Sequence, residues 1–288
     1  MARRAASARP GAAAVRDELL CHVEDALKTL RVRAVTDERI HTARKHLKRA
    51  RANLRLLRDA VGKAAYVREN AALRDAARPL SSVRDAKVLT ETLDALLQTT
   101  SSPARRRLLF KARTALGQAL REARAELGMM NAVTHSTTAL TAALQRMREW
   151  RLENVEASLL DEAYERLYRK SRRAYDIARG DGTPEALHEW RKQVKYLEQS
   201  TRACAPRSRH RVKALLKAAG RLADLLGEDH DLVVLKARLE TLDAAERSRP
   251  AIARTIAARR RALQRKALKR GAALFSTKPG AILRELTS

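Results

Sequence analysis

The chain has 288 residues, of which 61 are Lys or Arg and 33 are Asp or Glu, leaving a formal charge of +28. Hydrophobic residues make up 45%, which excludes global disorder and allows one large core or two modest ones. A surface this basic repels itself until something anionic neutralises it, so the partners to consider are nucleic acid, an acidic membrane surface and a soluble polyanion.

Residues 1–14 carry Arg3, Arg4 and Arg9 among alanines and lack the apolar stretch of a secretory signal; a disordered basic tail is expected there. Beyond it the helical period runs almost unbroken, and the chain is rich in Ala and Leu and poor in strand-favouring residues. Breakers divide it into helices expected at about 15–33, 37–60, 65–78 and 82–97, with a fifth following Pro103 and stopping at Gly128. The second half repeats the scheme at about 138–151, 156–179, 184–202, 208–226, 229–246 and 250–274. Residues 276–288 are left as a C-terminal tail. The expected class is all-α. No run of about 18 apolar residues exists, so no membrane insertion is expected. Cys21 and Cys204 form neither a metal-ligand spacing nor a disulfide framework and read as free thiols in a reducing, cytoplasmic setting.

Two segments echo each other. Ile40-His41-Thr-Ala-Arg44-Lys45-His-Leu47-Lys48 aligns with Leu187-His188-Glu-Trp-Arg191-Lys192-Gln-Val194-Lys195, sharing His, Arg, Lys and Lys in one register. Leu80-Ser-Ser-Val-Arg-Asp85 aligns with Leu226-Gly-Glu-Asp-His-Asp231 at an offset one residue shorter. Agreement at two places argues for an internal duplication, with repeat A over about 15–128 and repeat B over about 135–275, forming two helical bundles about a pseudo-two-fold axis.

On a helical wheel of about 100° per residue, His41, Arg44, Lys45, Lys48, Arg51 and Arg55 share one arc. Ile40, Ala43, Leu47, Ala50, Leu54 and Leu57 occupy the adjoining arc, which packs inward. His188, Arg191, Lys192, Lys195 and Arg202 repeat the row, backed by Leu187, Trp190, Val194 and Leu197; Glu198 replaces the counterpart of Arg51 and weakens the second row. Arg166, Arg169, Lys170 and Arg173 lie on one side of another helix. Solvated helix faces ordinarily mix signs, because like charges at i,i+4 destabilise a helix, and Arg44–Lys48 and Arg51–Arg55 are such pairs. His41 and His188 have no carboxylate at i+4, which argues against metal ligation and leaves phosphate contact and helix packing open. Asp85 and Asp231 read as carboxylates at a helix N-terminus or beside an Arg. The His230-Asp231 dipeptide by itself is weak evidence for a metal hydrolase, and no P-loop, dinucleotide fingerprint, His-Glu-x-x-His or Gly-x-Ser-x-Gly motif is present.

His41-x-x-Arg44-Lys45-x-x-Lys48-Arg49-x-Arg51, its echo from His188, the two Asp-bearing segments and the basic run from Arg166 to Arg173 together resemble the CHAD family of histidine-containing α-helical domains, over about 15–275. The resemblance implies two four-helix bundles and a basic surface, Arg49 included, that binds inorganic polyphosphate. It also implies association with polyphosphate granules. From the residues themselves no catalytic group, cofactor or metal is expected. A nonspecific nucleic-acid-binding protein is the competing expectation. An aromatic content of 3% counts against it, since single-strand binders use aromatic platforms.

Overall fold

The computed structural model describes residues 10–129, 131–204, 210–241 and 249–287, and among these every regular element is an α-helix. In chain order they are α1 (Ala12–Leu30), α2 (Asp37–Leu56), α3 (Arg58–Val61), α4 (Lys63–Ala77), α5 (Ser81–Thr99), α6 (Pro103–Met129), α7 (Ala132–Arg148), α8 (Ala157–Asp181), α9 (Pro184–Cys204), α10 (His210–Glu240), α11 (Arg249–Leu274) and α12 (Pro279–Thr287).

Local chemistry sets most of the boundaries. Thr36 caps α2, its hydroxyl accepting from the Arg39 amide, and Asp37 and Glu38 follow in the first turn, where the helix dipole favours them. Gly182 ends α8 in the left-handed conformation, its amide returning to the Ala178 carbonyl. Thr183 then accepts from the Ala186 amide, and Pro184 opens α9.

The sequence differs from the structure in three places. The expected break near Gly227 is absent: α10 runs straight through it, because a lone buried glycine costs a helix only about 1 kcal/mol and no proline accompanies it. Asp231 therefore sits well inside a helix, not at an N-terminus. The C-terminal tail contains α12, which packs on α8 and buries Ile282. Of the N-terminal tail, residues 1–9 lie outside the described residues, and Ala12 already belongs to α1.

The apolar arc of α2 is inside as expected: Ile40, Ala43, Leu47, Ala50 and Leu54 are all at most 1% exposed. So are Trp190, Val194 and Leu197 of α9. Each such leucine or valine contributes about 1.5–3 kcal/mol by leaving water. The buried side chains fall into two clusters, and both draw on both halves of the chain. The larger joins α1, α2, α4, α7, α8 and α9 with the first part of α10. The smaller joins α5 and α6 to the later part of α10 and to α11. In consequence α2 packs against α9, and α5 against α10. Charge is also buried where it is paired: Glu69, fully buried, receives Arg146 through Nε and Nη2 at 2.8 Å each and Arg68 at 2.6 Å.

Trp190 anchors α9 by packing against Tyr175, with ring centroids 5.2 Å apart, while Gly271 of α11 lies directly beneath. A Cβ on Gly271 would meet Trp190 at 2.6 Å and Tyr175 at 2.7 Å, both closer than packed carbon atoms approach. Gly271→Ala is expected to destabilise the fold by about 1–2 kcal/mol, the clash outweighing the gain in helix propensity. Urea denaturation measures it, and an unchanged or raised midpoint would refute this packing.

Candidate functional site

The basic row of α2 is held from behind by its apolar arc and from the sides by hydrogen bonds. Arg44 donates through Nη1 to the Ala77 carbonyl at 2.7 Å and to Ser81 Oγ, so it caps the last turn of α4 and ties it to α5. Arg51 donates to Asn70 Oδ1 at 3.0 Å. Arg55 donates to the hydroxyls of Tyr66 at 3.2 Å and Tyr196 at 3.1 Å, and stacks over the Tyr196 ring at 3.9 Å. That last contact joins the α2 row to α9.

Between α2, the end of α4 and the start of α5 lies a cleft of about 210 Å³. Five cations line it: Arg44, Lys48 and Arg51 from α2, and Arg74 and Arg78 from α4. A single carboxylate, Asp75, reaches both of the α4 arginines, so positive charge remains in excess. A wider groove of about 560 Å³ lies at the other side of α5, but Asp37, Glu38 and Glu91 line it with only Lys87 and Arg124 to balance them. It is a mixed-charge surface unsuited to a polyanion.

Lys48 marks the centre of the positive field. It keeps contact with solvent yet is crowded on most sides, and this desolvation, together with Arg44, Arg191, Lys195 and Arg84, lowers its pKa to about 8. Its neighbours come from α2, α5 and α9, so the two rows read from sequence confront a common space. Arg44 is shifted down by burial, with Asp85 acting against it and Arg84 with it. Asp231 is pushed up by burial, although Arg191, Arg84 and Lys48 oppose that shift. Each row thus has an arginine beside an aspartate: Arg44 by Asp85, and Arg191 by Asp231. Arg191 lies against Gly227 of α10, where a Cβ would stand 3.4 Å from its Nη2, an ordinary contact. The Nε atoms of both Arg44 and Arg191 are buried without a hydrogen-bond acceptor.

The histidines sit at the rim. His188 Nδ1 is 3.1 Å from His230 Nδ1, with ring centroids 4.2 Å apart. Burial, His188 and Arg191 lower His230 to about 4, and burial with neighbouring cations also holds His41 and His188 below the usual histidine value. At neutral pH these three rings are therefore uncharged, and they accept or donate through one nitrogen each. Asp229, the other acid of that segment, is buried and bound by Arg260 and Gln264 of α11, so it is structural.

Other residues expected at the site are drawn elsewhere. Arg49 projects from the far flank of α2, where its charge acts on His46. Arg202 is paired with Glu198 at 2.9 Å, and Lys192 with Glu189. On α8, Arg166 pairs with Asp59 of α3 and Arg169 with Glu165 at 2.6 Å, while Lys170 and Arg173 are exposed. Lys45 and Lys195 remain on the rows as expected, Lys45 exposed beside His41. Sequence reasoning missed Arg74, Arg78 and Arg84. The first two are a like-charged i,i+4 pair at the end of α4, and the third immediately precedes Asp85 in the repeated segment.

The fold is shared with solved structures of low sequence identity. The crystal structure of the CHAD domain from the plant Ricinus communis matches with a TM-score of 0.60 at 20% identity, over 100% of this chain and 94% of that one. PptA from Streptomyces chartreusis matches with a TM-score of 0.61 at 15% identity, over 91% of this chain and 99% of that one. No curated protein matches the sequence. The family model for the CHAD domain matches residues 12–240, a span that holds both histidine-led rows and the cleft between α2, α4 and α5, and the chain belongs to the CHAD domain family.

Proposed function

We propose that the chain binds inorganic polyphosphate without transforming it, as an accessory protein of polyphosphate metabolism or of cytoplasmic polyphosphate granules. The observation that carries this reading is the cleft lined by five cations and by no carboxylate, with Asp75, Asp85 and Asp231 only at its edges. A polyphosphate chain bears about one charge per residue and no bases, so it asks for a row of forks and point charges and nothing more. The α9 row, through Arg191 and Lys195, extends the same field and would accept the continuing chain. The pairing of α2 with α9 and of α5 with α10 supports an internal duplication, and with it two related bundles that present one row each to the ligand.

The aromatic residues nearest the cleft speak against a single-stranded nucleic acid. Tyr66 and Tyr196 are both engaged by Arg55, and a base would have to displace it to stack. Catalysis would call for clustered, ionised carboxylates to hold Mg²⁺, whereas Asp231 faces Arg191, Arg84 and Lys48 and its carboxyl is shifted up.

Three outcomes are expected. In a competition titration at about 150 mM salt, where surface charges more than about 8 Å apart are largely screened, labelled long-chain polyphosphate should outcompete duplex DNA and RNA by at least tenfold at equal phosphate, about 1.4 kcal/mol. Its affinity should also fall log-linearly with salt. Equal competition by nucleic acid would sink the proposal in favour of a generic polyanion surface. Next, Lys45→Glu with Lys48→Glu should reduce affinity by at least tenfold at unchanged helical content by circular dichroism. Arg44→Glu is a poorer probe, since it would place a carboxylate against the Ala77 carbonyl. Lastly, an anion beside Lys48 must raise its pKa above the value of about 8 in the unliganded protein. Binding near pH 8 should then take up a proton and weaken at higher pH. Calorimetry in buffers of different ionisation enthalpy reads the proton, and Lys48→Gln should abolish that uptake.

A further inference from the structure

On the flank of α2 away from the basic row, α1 and α2 bring together His22, Asp25 and His46. His46 is two residues from Lys48, about 200° round the helix, so it faces away from the cleft. His22 and Asp25 are three apart on α1 and share a side. One donor atom from each of the three lies within 4.8 Å of the other two. His46 Nδ1 stands 3.5 Å from Asp25 Oδ2, and the two imidazole rings have centroids 5.6 Å apart. Cys21, one turn before Asp25, places Sγ 3.9 Å from the same carboxylate oxygen.

We propose that His22, Asp25, His46 and Cys21 form a site for a borderline divalent transition-metal ion, Zn²⁺ being the representative case, that clasps α1 to α2. Two imidazoles, a carboxylate and a thiolate are a donor set suited to such an ion and not to Mg²⁺ or Ca²⁺, which take oxygen ligands. Ligands on arms of 2.0–2.1 Å around a tetrahedral centre stand about 3.3 Å apart. The 3.5 Å between His46 and Asp25 is already near that, the donor atoms of His22, Asp25 and His46 all lie within 4.8 Å of one another, and Cys21, exposed outside that trio with Sγ 3.9 Å from Asp25 Oδ2, joins it by a rotation of its side chain.

Three further observations support the assignment. His46 Nδ1 is buried and makes no hydrogen bond, a cost that a bound cation would remove. Glu18 Oε1 lies 3.9 Å from His22 Nε2, within a small side-chain rotation of the position from which a carboxylate orients an imidazole whose other nitrogen ligates. The net charge of +28 would repel a cation, but here Glu18, Glu24 and Asp25 offset Lys45 and Arg49 beside His46 and Arg148, which pairs with Glu24, so the excess positive charge is not concentrated at this site. The site is independent of the polyphosphate reading, because none of its residues lines the cleft.

The test is calorimetric titration of the full chain with Zn²⁺ in the absence of polyphosphate, which itself chelates divalent ions, together with visible spectroscopy of the Co²⁺ form. One ion per chain, a tetrahedral cobalt spectrum with a thiolate band lost in Cys21→Ser, and a rise in Tm with Zn²⁺ are expected. His46→Gln should weaken the ion at least tenfold and cancel the rise in Tm, with its fold checked by circular dichroism and its polyphosphate affinity unchanged. His230→Gln, which breaks the other histidine pair, should leave Zn²⁺ binding intact. Binding that survives His46→Gln, or that disappears in His230→Gln, overturns the site. Absence of saturable binding does the same, and a cobalt spectrum without a thiolate band removes Cys21 and overturns the four-ligand assignment.

Discussion

The structure depends on holding like charges together. Lys48 lies in the fields of Arg44, Arg84, Arg191 and Lys195, and burial first, then these charges, lower its pKa. Nothing local favours such a cluster, since same-sign neighbours one turn apart destabilise the helix that bears them. What pins them is the opposite side of the same helices, where Ile40, Leu47 and Leu54 on α2 and Trp190, Val194 and Leu197 on α9 are withdrawn from water almost completely. Burial on one face of each helix supplies the free energy that crowding on the other face consumes.

The distribution of carboxylates follows from the same need. Glu69 neutralises Arg68 and Arg146 inside the bundle, Asp229 holds α11 through Arg260, and Glu198 occupies Arg202. Glu69 and Asp229 tie helices to one another, Glu198 pairs within α9, and the α2 row is left short of partners. Where a carboxylate does approach that field, as Asp231 does, burial raises its pKa while Arg191, Arg84 and Lys48 oppose the shift. The arginines in turn spend part of their fork on structure: Arg44 on the end of α4, Arg51 on Asn70, and Arg55 on two tyrosines. That contact orients each guanidinium and reduces the rotamer freedom an anion would otherwise have to freeze.

The two flanks of α2 therefore differ in character. One presents cations to the cleft. The other turns His46 toward Asp25 on α1, where acids and cations are balanced on a protein of charge +28. A single helix can serve both because its apolar arc separates them by roughly half a turn.

The sequence by itself determined the helices, the buried arcs and the register of both rows. These depend on spacings of three and four residues, on a Thr cap and on a Gly-Thr-Pro break, all of which act within one or two turns. It also carried the relation between Arg44 and Arg191, because a repeated register needs no knowledge of contacts. Only the tertiary structure decided which cations share a field. Arg74 and Arg78 joined the cleft and Arg84 the field around Lys48, while Arg49, Arg166 and Arg202 were drawn to His46's flank, to Asp59 and to Glu198. It decided as well that α10 continues past Gly227, that Asp231 lies mid-helix among arginines, and that the halves share their cores. The reason is physical: a charge interacts through a few ångströms of space, and the helix crossings that set those distances arise from packing between segments far apart in the chain.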